Sequence, residues 1–201
     1  MNTAVLISGR GSNLQAILEA EREKRLGEAN IQLIISSKKE AEGLKYSEIF
    51  NKKSVVIVRD SFITKNEFEQ KLIQTLRENE IDLIVLAGFM QILSTKFVNL
   101  YYGKIINIHP SLLPSFPGLK AQEQALDYGV KVSGCTVHFV NYDVDSGPII
   151  LQEIIEITEN ETKESLSEKI LIKEHEALPR AISLISQNKV IISGRNVRIM
   201  I

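Results

Sequence analysis

Cysteine is almost absent from this chain. Cys135 stands alone among 201 residues, which excludes an internal disulfide and a cysteine-rich zinc site. Histidine is scarce too. The three lie far apart, at 109, 138 and 175, and only carboxylates accompany them, so no metal is expected. Neither sign of charge is in excess: 24 Lys and Arg meet 25 Asp and Glu. A net charge of -1 provides no field to gather nucleic acid or an anionic membrane, and neither partner is expected. No apolar run approaches a membrane span, and no signal peptide is expected before the first strand. A reducing cytoplasm is the expected location. Prolines number five, yet three of them, Pro110, Pro114 and Pro117, fall within eight residues, a stretch that cannot be helical. No repeat, low-complexity segment or linker divides the chain, so a single domain over 1–201 is expected.

What is present alternates. Thr3 to Ser8 reads as a first, central strand, followed by a turn and a helix with Leu14, Ile17 and Leu18 on one face. Strands are expected at Ile31 to Ile35, Ser54 to Val58 and Ile81 to Ala87. Between them, Lys38 to Phe50 reads as a helix with Ala41, Leu44 and Ile49 inward. Phe68, Leu72, Ile73 and Leu76 form a clear helical stripe. Strands apolar on both faces suit a parallel sheet covered on both sides. The class is therefore α/β, a doubly wound, mostly parallel, Rossmann-like sheet. Further on, Gly88 to Leu93 is a turn entering a short helix, and Gln122 to Tyr128 is another helix. Val132 to Val140 and Pro148 to Ile157 read as an antiparallel hairpin at one sheet edge. A long helix over 163–187 is expected to bend at Pro179, and Val190 to Ile201 to form a small hairpin around Ser193 and Gly194.

The densest chemistry lies in Ile105-Ile106-Asn107-Ile108-His109-Pro110. An apolar run marks a buried strand, and Pro110 ends it. Asn107 and His109 are two apart and so share a face. A strand that needed only a core would carry Val or Ile there, because burying both polar groups unpartnered is costly. The pair suits an oxyanion donor beside an acid–base group. Asp145 is the natural third member, although spacing alone favours a solvated turn acid, as for Asp143.

Gly9-Arg10-Gly11-Ser12-Asn13 joins the first strand to its helix. Such a turn binds phosphate on backbone N–H groups, or it serves only as a tight turn with N-caps. It is no dinucleotide fingerprint, since Leu14 replaces the third glycine and Ser36-Ser37-Lys38 lacks the ribose-binding acid. Its position at the first βα turn favours phosphate. Glu174 stands three and four residues after Leu171 and Ile170, on the apolar stripe of the last helix. Either it is buried and needs a partner such as a cationic substrate group, or it sits at the edge of the stripe paired with a lysine. His138 and His175 read as structural.

Taken together, these stretches resemble the phosphoribosylglycinamide formyltransferase family. The resemblance rests on Leu6 to Ala16, Leu86 to Met90, Asn107 to Pro114 with Phe116 to Leu119, and Gly134 to Val140, in the family's order. It implies formyl transfer from 10-formyltetrahydrofolate, a co-substrate, to the amino group of glycinamide ribonucleotide in purine synthesis, with no metal. The implied catalytic residues are Asn107, His109 and Asp145. The ribonucleotide phosphate would lie on Gly11, Ser12 and Asn13, and its glycinamide end on Glu174. The folate would meet Asn107, the segment Met90, Gln91, Ile92 and Leu93, and the loop Asn141, Tyr142, Asp143, Val144 and Asp145. Lys65 would face its polar part. The ribonucleotide half would span about 1–100, and the folate and catalytic half about 101–201. A monomer or a homodimer is compatible with the resemblance.

Two rivals differ in outcome. A hydrolase of the same folate would release formate to water. A non-catalytic folate- or nucleotide-binding regulator would bind without turnover. The phosphate-type turn and the retained Asn107, His109 and Asp145 favour the transferase.

Overall fold

The structure is a computed structural model that describes residues 1–200. The sheet follows from the apolar runs. Strands β1 (Asn2–Ile7), β2 (Asn30–Ser36), β3 (Ser54–Val56), β4 (Leu83–Leu86) and β5 (Ile105–His109) pair in parallel, in the order β3-β2-β1-β4-β5. Strand β1 is thus the middle of the parallel part. β6 (Val132–Phe139) and β7 (Ile149–Glu156) continue the sheet antiparallel, with β7 at the edge.

Period-two alternation sends side chains to two cores. Val5 and Ile7 face a core shared with α1 (Ser12–Arg22) and α6 (Lys163–Ser186). Ala4, Leu6 and Ile105 face the other, shared with α3 (Lys65–Glu78) and α4 (Thr95–Leu100). The helix α3 stripe is buried as its spacing requires, and Thr64 and Glu67 close a capping box at its start. Among the described residues no helix is long and apolar enough to cross a membrane.

Several expected boundaries shift. Lys38 to Phe50 is not one helix. The Ser36 hydroxyl bonds both the carbonyl and the N–H of Lys38, which holds the chain in a turn. A 3-10 turn over Glu42–Leu44 then leads into a five-residue α2 (Lys45–Ile49). That phase buries Ser47 and leaves Ile49 67% exposed instead of inward. Residues 88–94 stay irregular up to α4, and α5 spans Ala121–Tyr128. The α6 helix runs unbroken through the buried Pro179. β8 (Val190–Ser193) and β9 (Asn196–Ile199) form the expected small hairpin, a separate two-stranded sheet. Ile201, the expected end of that hairpin, lies outside the described residues.

The loop from Asn141 to Gly147 turns so tightly that a Cβ on Gly147 would sit 1.7 Å from the Phe139 carbonyl oxygen. Backbone, not a flexible side chain, occupies that space. Gly147→Ala should therefore destabilise the fold by about 3 kcal/mol, at the upper end of ordinary overpacking. Urea unfolding checks this, and a change below about 0.5 kcal/mol would show that the loop relaxes freely.

Candidate active site

Asn107 and His109 occupy the face of β5 that also carries Ile105, so they look towards the side of the sheet covered by α3 and α4. His109 is 5% exposed. Its Nε2–H donates to the Phe116 carbonyl at 2.8 Å, and its Nδ1 lies 3.2 Å from Asp145 Oδ2. Asp145 is not a solvated turn acid. Its Oδ2 also accepts the Gly118 N–H at 2.8 Å, and its Oδ1 lies 3.4 Å from Asn107 Nδ2. The carboxylate reaches this place because residue 145 adopts a left-handed backbone, φ 50°, which Asp tolerates better than most residues. Asp143 is exposed, as expected of a turn acid.

His138 was expected to be structural, yet it completes this cluster. It lies directly opposite Asn107 in the antiparallel β5–β6 register. Its Nδ1–H donates to the Phe139 carbonyl at 2.8 Å, which leaves Nε2 to accept from Asn107 Nδ2 at 3.3 Å. That nitrogen is also 3.7 Å from Asp145 Oδ1, long for a hydrogen bond. The hairpin register holds the signal that identifies it: Thr136 faces His109 and His138 faces Asn107. Thr136 Oγ1 in turn donates to the Ser111 carbonyl and accepts the Leu113 N–H, pinning the proline-rich loop.

Opposing forces act on the pair's protons. Burial lowers the His109 pKa, the Phe116 carbonyl and the Asp145 charge raise it, and the balance lies below the usual value. Desolvation thus outweighs the charge of the neighbouring Asp145. Burial raises the Asp145 pKa, but the His138 ring, the Gly118 N–H and the His109 charge outweigh it, so its carboxyl stays below the usual range. Asp145 is thus ionised beside an imidazole that burial keeps from charging easily, with His109 Nδ1 facing its Oδ2 at 3.2 Å.

The turn after β1 is shaped by two glycines. Gly11 takes φ 75° as the N-cap of α1, and no side chain of the turn caps the helix. A Cβ on Gly11 would meet the Gly43 Cα at 2.5 Å, so the 3-10 turn presses directly on this one. Asn13 is buried behind it. Its Nδ2 donates to Glu174 Oε2 at 2.7 Å, while its Oδ1 has no partner. Glu174 is therefore truly buried, at 8% exposure, and its partner is an amide, not a lysine. Burial pushes its pKa up to about 7, against the Asn13 bond and the Arg10 charge.

The segment from Met90 to Leu93 borders the same end of the sheet, since β4 lies between β1 and β5. Met90 and Ile92 are 63% and 71% exposed, and Gln91 and Leu93 half-buried. Asn141 bonds within its own loop, to Ser146, and Tyr142 donates to Asn99 at 2.7 Å. Val144 is exposed. Lys65 is exposed at the start of α3.

The formyl transferase model matches residues 1–182. A phosphoribosylglycinamide formyltransferase of Bacillus subtilis is 43% identical over 179 residues, covering 89% of this chain and 91% of the relative. A solved glycinamide ribonucleotide transformylase from Symbiobacterium toebii is 42% identical and superposes with a TM-score of 0.97, covering all of this chain and 94% of that one. The chain belongs to the formyl transferase family. It also matches, at 46% identity over 93% of its length, a human trifunctional purine biosynthetic protein, of which it spans only 18%. In this formyl transferase the Asn107, His109 and Asp145 cluster and the Gly11 turn lie at the ends of β5 and β1, separated by one strand.

Glu174 makes a measurable consequence of burial. The folded state holds its proton up to about pH 7, whereas an ordinary glutamate releases it near 4.5. The folded chain binds more protons across that window, so Glu174 costs stability progressively as pH rises through it. Above about pH 7 the cost is fully present, on the order of 3 kcal/mol. Glu174→Gln should therefore raise the melting temperature at pH 8 and leave it nearly unchanged at pH 4. Equal shifts at both values would show that the carboxyl is not held protonated.

Proposed function

We propose that the chain transfers a formyl group from 10-formyltetrahydrofolate to the amino group of glycinamide ribonucleotide, acting in the cytoplasm on two small molecules. The observation that carries this reading is the junction of Asp145 with the buried His109 and with Asn107, in a family member nearly as long as its bacterial relatives.

Gly11, Ser12 and Asn13 take the ribonucleotide phosphate, because uncapped N–H groups at a helix start, with the helix dipole, favour an anion. Glu174 meets the glycinamide end, and a cationic amine there would stabilise its ionised form. The folate pterin lies on Met90, Gln91, Ile92 and Leu93 and against residues 141–145, with Lys65 towards its polar part. The N-terminal half then serves mainly the ribonucleotide, and the C-terminal half the folate and the chemistry.

The amine attacks the formyl carbon, and a C–N bond forms as the carbonyl oxygen becomes an oxyanion. His109 resists charging in the free site, so it takes up its full positive charge as that oxyanion develops. Stabilisation concentrated in the transition state raises kcat without tightening substrate binding. Asn107 bonds its present partners at 3.3 and 3.4 Å, long distances that let its N–H turn to the oxyanion at little cost. The bond to the folate nitrogen then breaks. The proton lost by the amine reaches that nitrogen through His109 or a water held by Asp145. Nothing remains covalently attached to the protein.

The direct experiment mixes protein, 10-formyltetrahydrofolate and glycinamide ribonucleotide and follows deformylated folate by absorbance. Turnover that requires the ribonucleotide supports the transferase. Equal turnover without it would establish a hydrolase instead, and binding without turnover a regulator. Asp145→Asn sharpens the test, because an amide oxygen can still accept the Gly118 N–H while the charge is lost. It should lower kcat on the order of 100-fold and change either KM much less. The His109 titration, followed by NMR, should move further down. A kcat within a few-fold of the parent and an unmoved titration would remove Asp145 from the mechanism.

A further inference from the structure

Glu69 is a buried carboxylate that this chemistry does not use. It projects from α3 and is 4% exposed. Its Oε1 accepts the Ser94 N–H at 2.6 Å, and its Oε2 accepts the Ser94 hydroxyl. Among the described residues it makes no ion pair. Burying a carboxylate without a cation is costly, and both its partners belong to one residue.

Helix capping alone does not account for this. Ser94 caps α4 by accepting the Phe97 N–H at 3.2 Å, but α3 and α6 are capped by Thr64 and Thr162 with reciprocal partners three residues on. Here the acid comes from another helix, 25 residues away. What it adds is a fixed end for the irregular segment before α4. The other end is held by Ser8, whose Oγ accepts the Met90 N–H at 2.8 Å and pairs with the Ser37 hydroxyl at 2.7 Å. Between these anchors, among the described residues, the backbone groups of 91–93 have no protein partner. A strip with free donors and acceptors keeps its shape only if its ends are held.

We propose that Glu69 is a positioning residue for the folate co-substrate, holding residues 90–93 in their binding shape through Ser94 while touching neither substrate. This rests on the reading of 90–93 as the folate strip. The geometry also forecasts a rescue. In Glu69→Gln the amide oxygen can accept the Ser94 N–H, and the amide N–H can donate to Ser94 Oγ. In Glu69→Ala both bonds are lost.

The test measures both KM values and the calorimetric affinity for tetrahydrofolate in the parent, Glu69→Ala, Glu69→Gln and Ser94→Ala. Glu69→Ala should raise the folate KM and weaken tetrahydrofolate about tenfold, the loss of charge-assisted bonds. The ribonucleotide KM should stay within about twofold, and Glu69→Gln should lie close to the parent. If Glu69→Ala does not fold, Ser94→Ala decides, with a folate KM raised about threefold and the ribonucleotide KM unmoved. Equal changes in both KM values, or an unmoved folate KM, would overturn the proposal and leave Glu69 as general support. A parent that binds no tetrahydrofolate would instead overturn the reading of the folate site, a different failure visible before any variant is made.

Discussion

The site depends on one half-buried carboxylate joining three stretches of chain that the sheet alone leaves apart. Asp145 arrives on the β6–β7 loop, faces the β5 histidine and accepts an N–H from the proline-rich loop at Gly118. Its second oxygen turns to Asn107. A strained φ of 50° is maintained because these contacts over-determine the position. Without the carboxylate, the Gly118 N–H would lose its acceptor and His109 its charged neighbour, and an unmade bond is the expensive outcome.

The same device recurs on a smaller scale around the ends of the strands. Glu174 links α6 to the start of α1 through Asn13. Glu69 links α3 to the segment before α4 through Ser94. Ser8, at the end of β1, ties that segment to Ser37 after β2. Glu174 thus ties two helices, while Glu69 and Ser8 tie an irregular segment to regular elements, so stretches that lack regular backbone pairing are still held. Preorganisation of this kind lowers the cost of ordering them when ligands bind.

Electrostatics and packing are not separable here. His109 is poised by burial against a nearby negative charge, and Glu174 by burial with only the Asn13 amide and the Arg10 charge in its favour. In both, desolvation is the largest influence. Both groups therefore respond to a charged ligand far more than exposed ones would, because a low-dielectric surrounding strengthens every added interaction.

The strands, the helical stripe of α3 and the shared face of Asn107 and His109 were legible in the sequence, because periods of 2 and 3.6 are local and burial on both faces writes them directly. Glu174 was legible for the same reason, as an acid on an apolar stripe. Glu69 carried the same signal, three and four residues before Leu72 and Ile73. Its meaning depended on Ser94, which nothing local indicates. The helix expected over 38–50 failed because Ser36 holds Lys38 in a turn, and because the backbones of Gly43 and Gly11 touch, a contact between distant residues. Spacing alone made Asp145 a turn acid, and His138 read as structural for want of the β5–β6 register. Asn13 and Glu174 stand 161 residues apart in sequence and 2.7 Å apart in space. Local order determined which groups were polar where apolar ones would do. Only the tertiary structure decided which of them meet, because long-range pairing is set by the closing of the whole sheet and leaves no periodic trace in the chain.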